Sequence, residues 1–289
     1  MNKIVLAHFA LFGANLIYAL NYIVAKDVMP TFITPSSFVL MRVIGGFVFF
    51  STLYTFLIRQ KIEIRDIYYL FFCSLFGVVI NMLLFFEGLS LTSPISASII
   101  MITTPLLVYF ISVSISIEKY SITKFLGVIL GLTGAVILIS NGNSFRISSL
   151  GDFYVFINAI SYSIYLIMVK KMMTKYHPIT VLSIIFFFGL IIILPITYDD
   201  LSSVNFTNLP LSIVFKILFV VLFTTCIAYF LNIFALSKLK SSVVAFYIYL
   251  QPLLATIISL FWGKDVLSSI KIIAASLIFL GIYFVVYKR

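Results

Sequence analysis

Arg42 and Glu87 are ionisable side chains set inside long apolar stretches, where a charge is costly unless it is paired, solvated or functional. Counted at the helical rise from the ends of their stretches, both come to roughly 5–10 Å below the same membrane boundary. The sequence therefore predicts a charge pair, Arg42–Glu87, near the outer gate of a membrane protein, the alternative being two residues that snorkel to the interface. Lys26, at the end of its stretch, reads as an interfacial anchor. The uncharged polar residues cluster as well. Asn15, Tyr18 and Asn21 share one helical face, and Asn158, Tyr162 and Tyr165 repeat that face later. Asn81, Tyr229 and Asn232 add amides and an aromatic, and Ser98, Met101, Thr104, Tyr247 and Gln251 extend the set. Amides in hydrocarbon need partners, so these faces should turn toward one another or toward a wet cavity. The expected substrate-binding residues are Asn15, Tyr18, Asn21, Asn81, Ser98, Asn158, Tyr162, Asn232, Tyr247 and Gln251. Any one Asn reads equally well as a hydrogen bond locking two helices.

Other chemistries find no support. His8 and His177 have no His or Cys partner at ligand spacing, and Cys73 and Cys226 read as buried small apolar residues, so no metal is expected. The aspartates Asp27, Asp66, Asp152, Asp199, Asp200 and Asp265 fall in loops or at helix ends, away from intramembrane acid–base work. No glycine loop cradles a phosphate. The chain is therefore expected to have no catalytic residues and no cofactor, and to run on an ion gradient or the gradient of its solute.

The elements that must position these residues are membrane helices. The 289-residue chain is 63% hydrophobic and 10% charged, with a mean hydropathy of +1.22, and lacks the polar residues to cover a soluble globule. Continuous apolar runs place ten spans near 4–25, 36–57, 68–90, 94–115, 122–141, 152–173, 179–198, 213–236, 241–262 and 270–287, an all-α integral membrane protein. The first run is too long for a signal peptide and ends in Lys26-Asp27 without a cleavage site, so it counts as a span.

The ten spans are written twice. Tyr18-Ala-Leu-Asn-Tyr-Ile-Val-Ala-Lys26 returns as Tyr162-Ser-Ile-Tyr-Leu-Ile-Met-Val-Lys170 after 144 residues. Gly88-Leu-Ser, Pro105-Leu-Leu, Glu118 and Gly134 return as Ala235-Leu-Ser, Pro252-Leu-Leu, Asp265 and Gly281 after 147. A unit with five spans must insert its second copy inverted, which gives repeats over 1–143 and 144–289. Charge agrees with the parity. Thirteen of the Lys and Arg residues (Lys3, Arg59, Lys61, Arg65, Lys119, Lys124, Lys170, Lys171, Lys175, Lys238, Lys240, Lys288 and Arg289) fall on one side. Five (Lys26, Arg146, Lys216, Lys264 and Lys271) fall on the other, so both termini are expected to be cytoplasmic. The equivalent prolines Pro105 and Pro252 predict helix bends in spans 4 and 9. Gly127, Gly131 and Gly134 form a small-residue stripe suited to close packing of span 5.

Along essentially its whole length the chain resembles the EamA family of the drug/metabolite transporter superfamily. The resemblance rests on Tyr18-Ala-Leu-Asn21 leading to Lys26, then Pro35 and Arg42, the small-residue stretch from Ser93 to Thr104 ahead of Pro105, the acid Glu118 and the glycine-rich fifth span. Tyr18 stands where the family more often has Trp, and span 7 carries no counterpart of Arg42. The resemblance implies a ten-helix fold, a central cavity and movement of small organic metabolites, often amino acids and often outward. The expected function is thus alternating-access export of such a metabolite across the inner membrane. An importer or exchanger of a nucleotide-like or cofactor-like solute, and a scaffold without a transport cycle, are the alternatives. The expected partners are a small-molecule substrate and the bilayer, not nucleic acid, with a homodimer left open.

Overall fold

The computed structural model describes residues 3–140, 149–261 and 269–286. Among these, ten helical crossings follow one another without a strand. Span 1 is Lys3–Val28, span 2 Pro35–Leu53 with a wider turn Tyr54–Ile58, and span 3 Ile64–Leu91. Span 4 is Pro94–Met101 followed by Thr104–Ser114, and span 5 is Ile122–Ser140. Spans 6 and 7 are Ser149–Met172 and Pro178–Ser202, and span 8 is Leu211–Lys238. Span 9 runs as Ser241–Phe246, a tight turn Tyr247–Tyr249 and Leu250–Phe261, and span 10 is Ser269–Val286. Arg146, Lys264, Asp265, Lys288 and Arg289 lie outside the described residues.

Local sequence explains the starts and breaks. Thr34, Ser93 and His177 each accept a backbone N–H with their side chains, and each precedes a proline in the first helical turn, where its missing donor costs nothing. Spans 4 and 9 break just before Pro105 and Pro252, at Ile102–Thr103 and at Tyr247–Tyr249, because the ring cannot accept the turn ahead of it. Spans 3 and 8 share a second irregularity, wide π turns over Leu75–Val79 and Val220–Ile227, which overlap at the 147-residue spacing.

Packing reveals the symmetry. A Cβ on Gly127 would sit 2.9 Å from the Gly281 carbonyl oxygen, and one on Gly134 would sit 2.7 Å from that of Ala274. Gly281 is the repeat mate of Gly134, and Ala274 that of Gly127, each 147 residues on. The contact between spans 5 and 10 is therefore self-complementary about a two-fold axis. As position rises along span 5 it falls along span 10, so the spans are antiparallel and the axis lies across them, in the membrane plane. The repeats are inverted.

Spans 1 and 8 pack along each other and carry span 9, while spans 6 and 3 pack in the same way and carry span 4. Each bundle thus mixes both repeats, and the two are exchanged by the two-fold. Polar contacts sort the ends onto two faces. On the near face, which holds Lys3, Asp66 accepts from Lys175 Nζ (2.9 Å) and Tyr176 Oη (2.7 Å). There too Glu118 accepts from Ser242 Oγ at 2.9 Å and pairs with Lys124. Burial works against charge on Glu118, yet the bonds from Lys124 and Ser242 outweigh it and hold the carboxyl below the usual range. On the far face Lys216 pairs with Asp27 at 2.6 Å, Thr92 donates to Asp152 at 2.6 Å, and Ser36 donates to Asp200.

Candidate functional site

The two bundles meet around a cavity of about 670 Å³, counted to its open edge. Its wall takes Asn15, Tyr18, Asn21 and Tyr22 from span 1, Arg42 from span 2, and Asn81, Met82, Phe85 and Phe86 from span 3. Met101, Asn158, Tyr162, Thr224, Tyr229 and Asn232 continue it through spans 4, 6 and 8, and Val244, Ile248 and Gln251 of span 9 close it. Repeat mates recur on the wall: Tyr18 and Tyr162, Met82 and Tyr229, Phe85 and Asn232, Met101 and Ile248. A second void of about 190 Å³ lies toward Tyr165, Leu166 and Ile233, the repeat mates of Asn21, Tyr22 and Phe86. The unequal volumes displace the open space toward the far face.

Eight of the ten residues expected to bind substrate reach this wall: Asn15, Tyr18, Asn21, Asn81, Asn158, Tyr162, Asn232 and Gln251. Ser98 and Tyr247 do not. The tight turn at 247–249 directs Tyr247 to span 1, where its hydroxyl meets His8 Nδ1 at 2.7 Å. Tyr22, Met82, Phe85, Phe86, Thr224, Val244 and Ile248 line the cavity without having been singled out. Their signal was present: Tyr22 and Phe85 stand one turn beyond Tyr18 and Asn81, and Ile248 and Val244 one and two turns before Gln251. Apolar residues give no hint by type in a membrane helix, where most faces are apolar.

Several amides hold the wall together. Gln251 Nε2 donates to Asn15 Oδ1 at 2.9 Å, Asn232 Nδ2 to the Tyr162 hydroxyl at 2.6 Å, and Asn158 Nδ2 to the Asn81 backbone carbonyl at 2.6 Å. Tyr229 donates to the Gly77 carbonyl at 3.2 Å, within the π segment of span 3. After these bonds, Asn21 Oδ1, Asn158 Oδ1, Asn232 Oδ1 and Thr224 Oγ1 remain buried without a hydrogen-bond partner. These atoms belong to residues of the cavity wall but present almost no surface to the open space, so a polar ligand would satisfy them only as those side chains turn toward it.

The predicted Arg42–Glu87 pair is not formed. Arg42 is 3% exposed, its guanidinium lies 4.5 Å from the Phe86 ring centre, and its Nε donates to Thr225 Oγ1 at 2.8 Å. Phe86 adjoins Glu87 in span 3, so Arg42 and Glu87 sit at a similar level of the bundle. Successive residues on a helix, however, point about 100° apart, so the side chain that faces Arg42 is Phe86. No acid forms an ion pair with Arg42 among the described residues.

Lys26 likewise does more than anchor. Its ammonium donates to the carbonyls of Leu89 (2.8 Å), Ser90 (2.8 Å) and Thr92 (3.0 Å), at the C-terminal end of span 3. Its repeat mate Lys170 donates to the Leu236 carbonyl at 2.6 Å near the end of span 8, and Leu236 is the mate of Leu89. A cation at the negative end of a helix dipole is well placed. Each lysine also ties one bundle to the other, Lys26 at the far face and Lys170 at the near face.

The comparison with known sequences agrees with this twofold construction. The sequence profile of the EamA-like transporter family matches residues 5–140 and again 149–287. The chain belongs to that family. An uncharacterized transporter of Archaeoglobus fulgidus is 26% identical over 239 residues, 81% of this chain and 82% of its own length. The uncharacterized transporter YyaM of Bacillus subtilis is 23% identical over 203 residues, 69% of this chain and 66% of YyaM. The WAT1-related protein At3g18200 of Arabidopsis thaliana is 23% identical over 299 residues, 94% of this chain and 76% of its own. A solved crystal structure superposes with a TM-score of 0.75 over 97% of this chain and 96% of the other, at 18% identity, and shows the same fold. The EamA assignment, the apolar crossings and the central cavity make the chain a multi-pass membrane transporter.

Proposed function

We propose that this transporter moves a small organic metabolite, an amino acid or related compound, outward across the inner membrane by alternating access, with both termini in the cytoplasm. The observation that carries this reading is the pair of symmetric lysine latches. Lys26 closes one bundle on the other at the far face, Lys170 does the same at the near face, and the cavity lies between them. Rocking the bundles about the two-fold would open one latch while keeping the other, which is the movement that inverted repeats perform.

Purified protein in liposomes, loaded in turn with members of a metabolite library, tests the reading directly. Solute-specific flux that exceeds that of empty liposomes is the expected result. Folded protein that moves none of them would favour a scaffold. Orientation has its own test. With Cys73 and Cys226 replaced, a cysteine at position 199 should react with a membrane-impermeant thiol reagent in intact cells, whereas cysteines at 61 and 171 should react only after permeabilisation. Labelling of 61 or 171 in intact cells would reverse the assignment of the faces.

A further inference from the structure

We infer that the cavity takes a small carboxylate of net charge minus one, whose remaining polar groups are uncharged N–H or O–H donors. The inference rests on the transport reading and narrows its solute from amino acids and related compounds to the related carboxylates that carry no ammonium group. Arg42 is the ionised group on the cavity wall, deeply buried, and no acid pairs with it among the described residues. A buried cation without a counter-ion is costly, and a ligand that supplies one negative charge removes that cost. The charge count then discriminates among solutes. A monoanion brings the site to neutrality, a zwitterionic amino acid leaves one positive charge, and a phosphate monoester leaves nearly one negative. The rest of the wall is specific in a second way. Its residues carry unpartnered groups, the amide oxygens of Asn21, Asn158 and Asn232 and the Thr224 hydroxyl; the oxygens only accept, so a ligand that brings donors satisfies them once the amides turn toward it, while the hydroxyl can donate or accept. Phe85, Phe86, Met82, Met101 and Ile248 supply an apolar surface for the hydrocarbon part. Hydroxy acids and N-acyl amino acids fit all three demands. Moving such an anion outward is favoured by an inside-negative potential, so export would be electrogenic and would need no coupling ion.

The experiment is a thermal-shift and binding screen of the purified full chain with matched sets of probes built on several apolar groups. Each set holds an α-hydroxy carboxylate, its N-acetyl amino acid counterpart, the neutral amide, the zwitterionic amino acid and a phosphate monoester. The carboxylates of at least one set should raise the melting temperature, and its amide, amino acid and phosphate should not. Arg42→Gln should weaken the bound carboxylate roughly 10- to 100-fold, as expected for loss of a charge-assisted contact, while Arg42→Lys should keep part of the affinity. If Arg42→Gln does not fold, the ranking within each set still decides. Preference for the zwitterion, amide or phosphate, an unchanged affinity in folded Arg42→Gln, or no carboxylate response in any set would overturn the inference. In liposomes, flux of a zwitterion or cation that survives Arg42→Gln would overturn the anion assignment and leave the transport reading standing.

Discussion

Replacing Lys26 by Met opens the far face. The substitution keeps the apolar stem and removes three charge-assisted bonds to the carbonyls of Leu89, Ser90 and Thr92. Bonds to a charged donor are worth ~1.5–3 kcal/mol each when well formed, but the ammonium is partly exposed and water will replace some of them. A net loss of about 2 kcal/mol in the closed far face is expected, an increase of roughly 30-fold in the open-to-closed ratio. The readout is a single cysteine at position 82, on the cavity wall, in a background without Cys73 and Cys226, exposed to a membrane-impermeant thiol reagent from the far side. Labelling should accelerate in Lys26→Met. In Lys170→Met it should slow, because the near face is the one released, and the change should be smaller, since Lys170 gives up one backbone bond. Changes in the same direction for both variants would mean that the lysines cap helices and do not gate the bundles.

Gly281→Ala will destabilise the protein without touching the cavity. A Cβ at Gly281 would stand 2.7 Å from the Gly127 carbonyl oxygen, 2.8 Å from Gly131 N and 3.1 Å from Gly131 Cα. All three are backbone atoms, so no rotamer change relieves the clash and spans 5 and 10 must separate. Overpacking of this kind costs about 1–3 kcal/mol, which in a chain of this size corresponds to a fall of roughly 2–10 °C in melting temperature. Gly13→Ala is the control: its Cβ would meet Leu231 Cδ1 at 3.6 Å, an ordinary contact. There the gain in helix propensity, ~0.5–1 kcal/mol, should show as unchanged or slightly raised stability. Because no described residue of span 5 or span 10 lines the cavity, ligand affinity in folded Gly281→Ala should match the parent. Equal behaviour of the two variants would remove the glycine stripe from the account of packing.

Much of the architecture was legible before any coordinates. A bilayer requires about 20 apolar residues per crossing and backbone bonds satisfied within each helix, so hydropathy alone located the spans. The five-span repeat forced inversion by parity, and the antiparallel contact of Gly127 with Gly281 shows it. The prolines at 105 and 252 announced the breaks in spans 4 and 9 because a missing N–H and a ring clash are local facts. The polar wall was also largely legible. An amide in hydrocarbon is conspicuous by type, which is why Asn15, Asn81, Asn158, Asn232 and Gln251 could be picked out singly.

What the sequence could not decide is where each side chain points once the helices are packed. Arg42 and Glu87 have matching depths, but helix rotation about the long axis turns Phe86 to the guanidinium, and rotation is set by neighbours. Tyr247 looks like a wall residue until the turn at 247–249 hands it to His8. The lysines show the same division most clearly. The 144-residue spacing of Lys26 and Lys170 and the 147-residue spacing of Leu89 and Leu236 are both in the sequence, yet nothing in a single strand of letters joins the two registers. Composition and period determined the number of helices, their order and their inversion, because those follow from each segment's own length and polarity. Only tertiary packing decided which groups were left unpaired around the cavity and which latched the bundles, because hydrogen bonds are directional and act over about 3 Å between segments far apart in the chain.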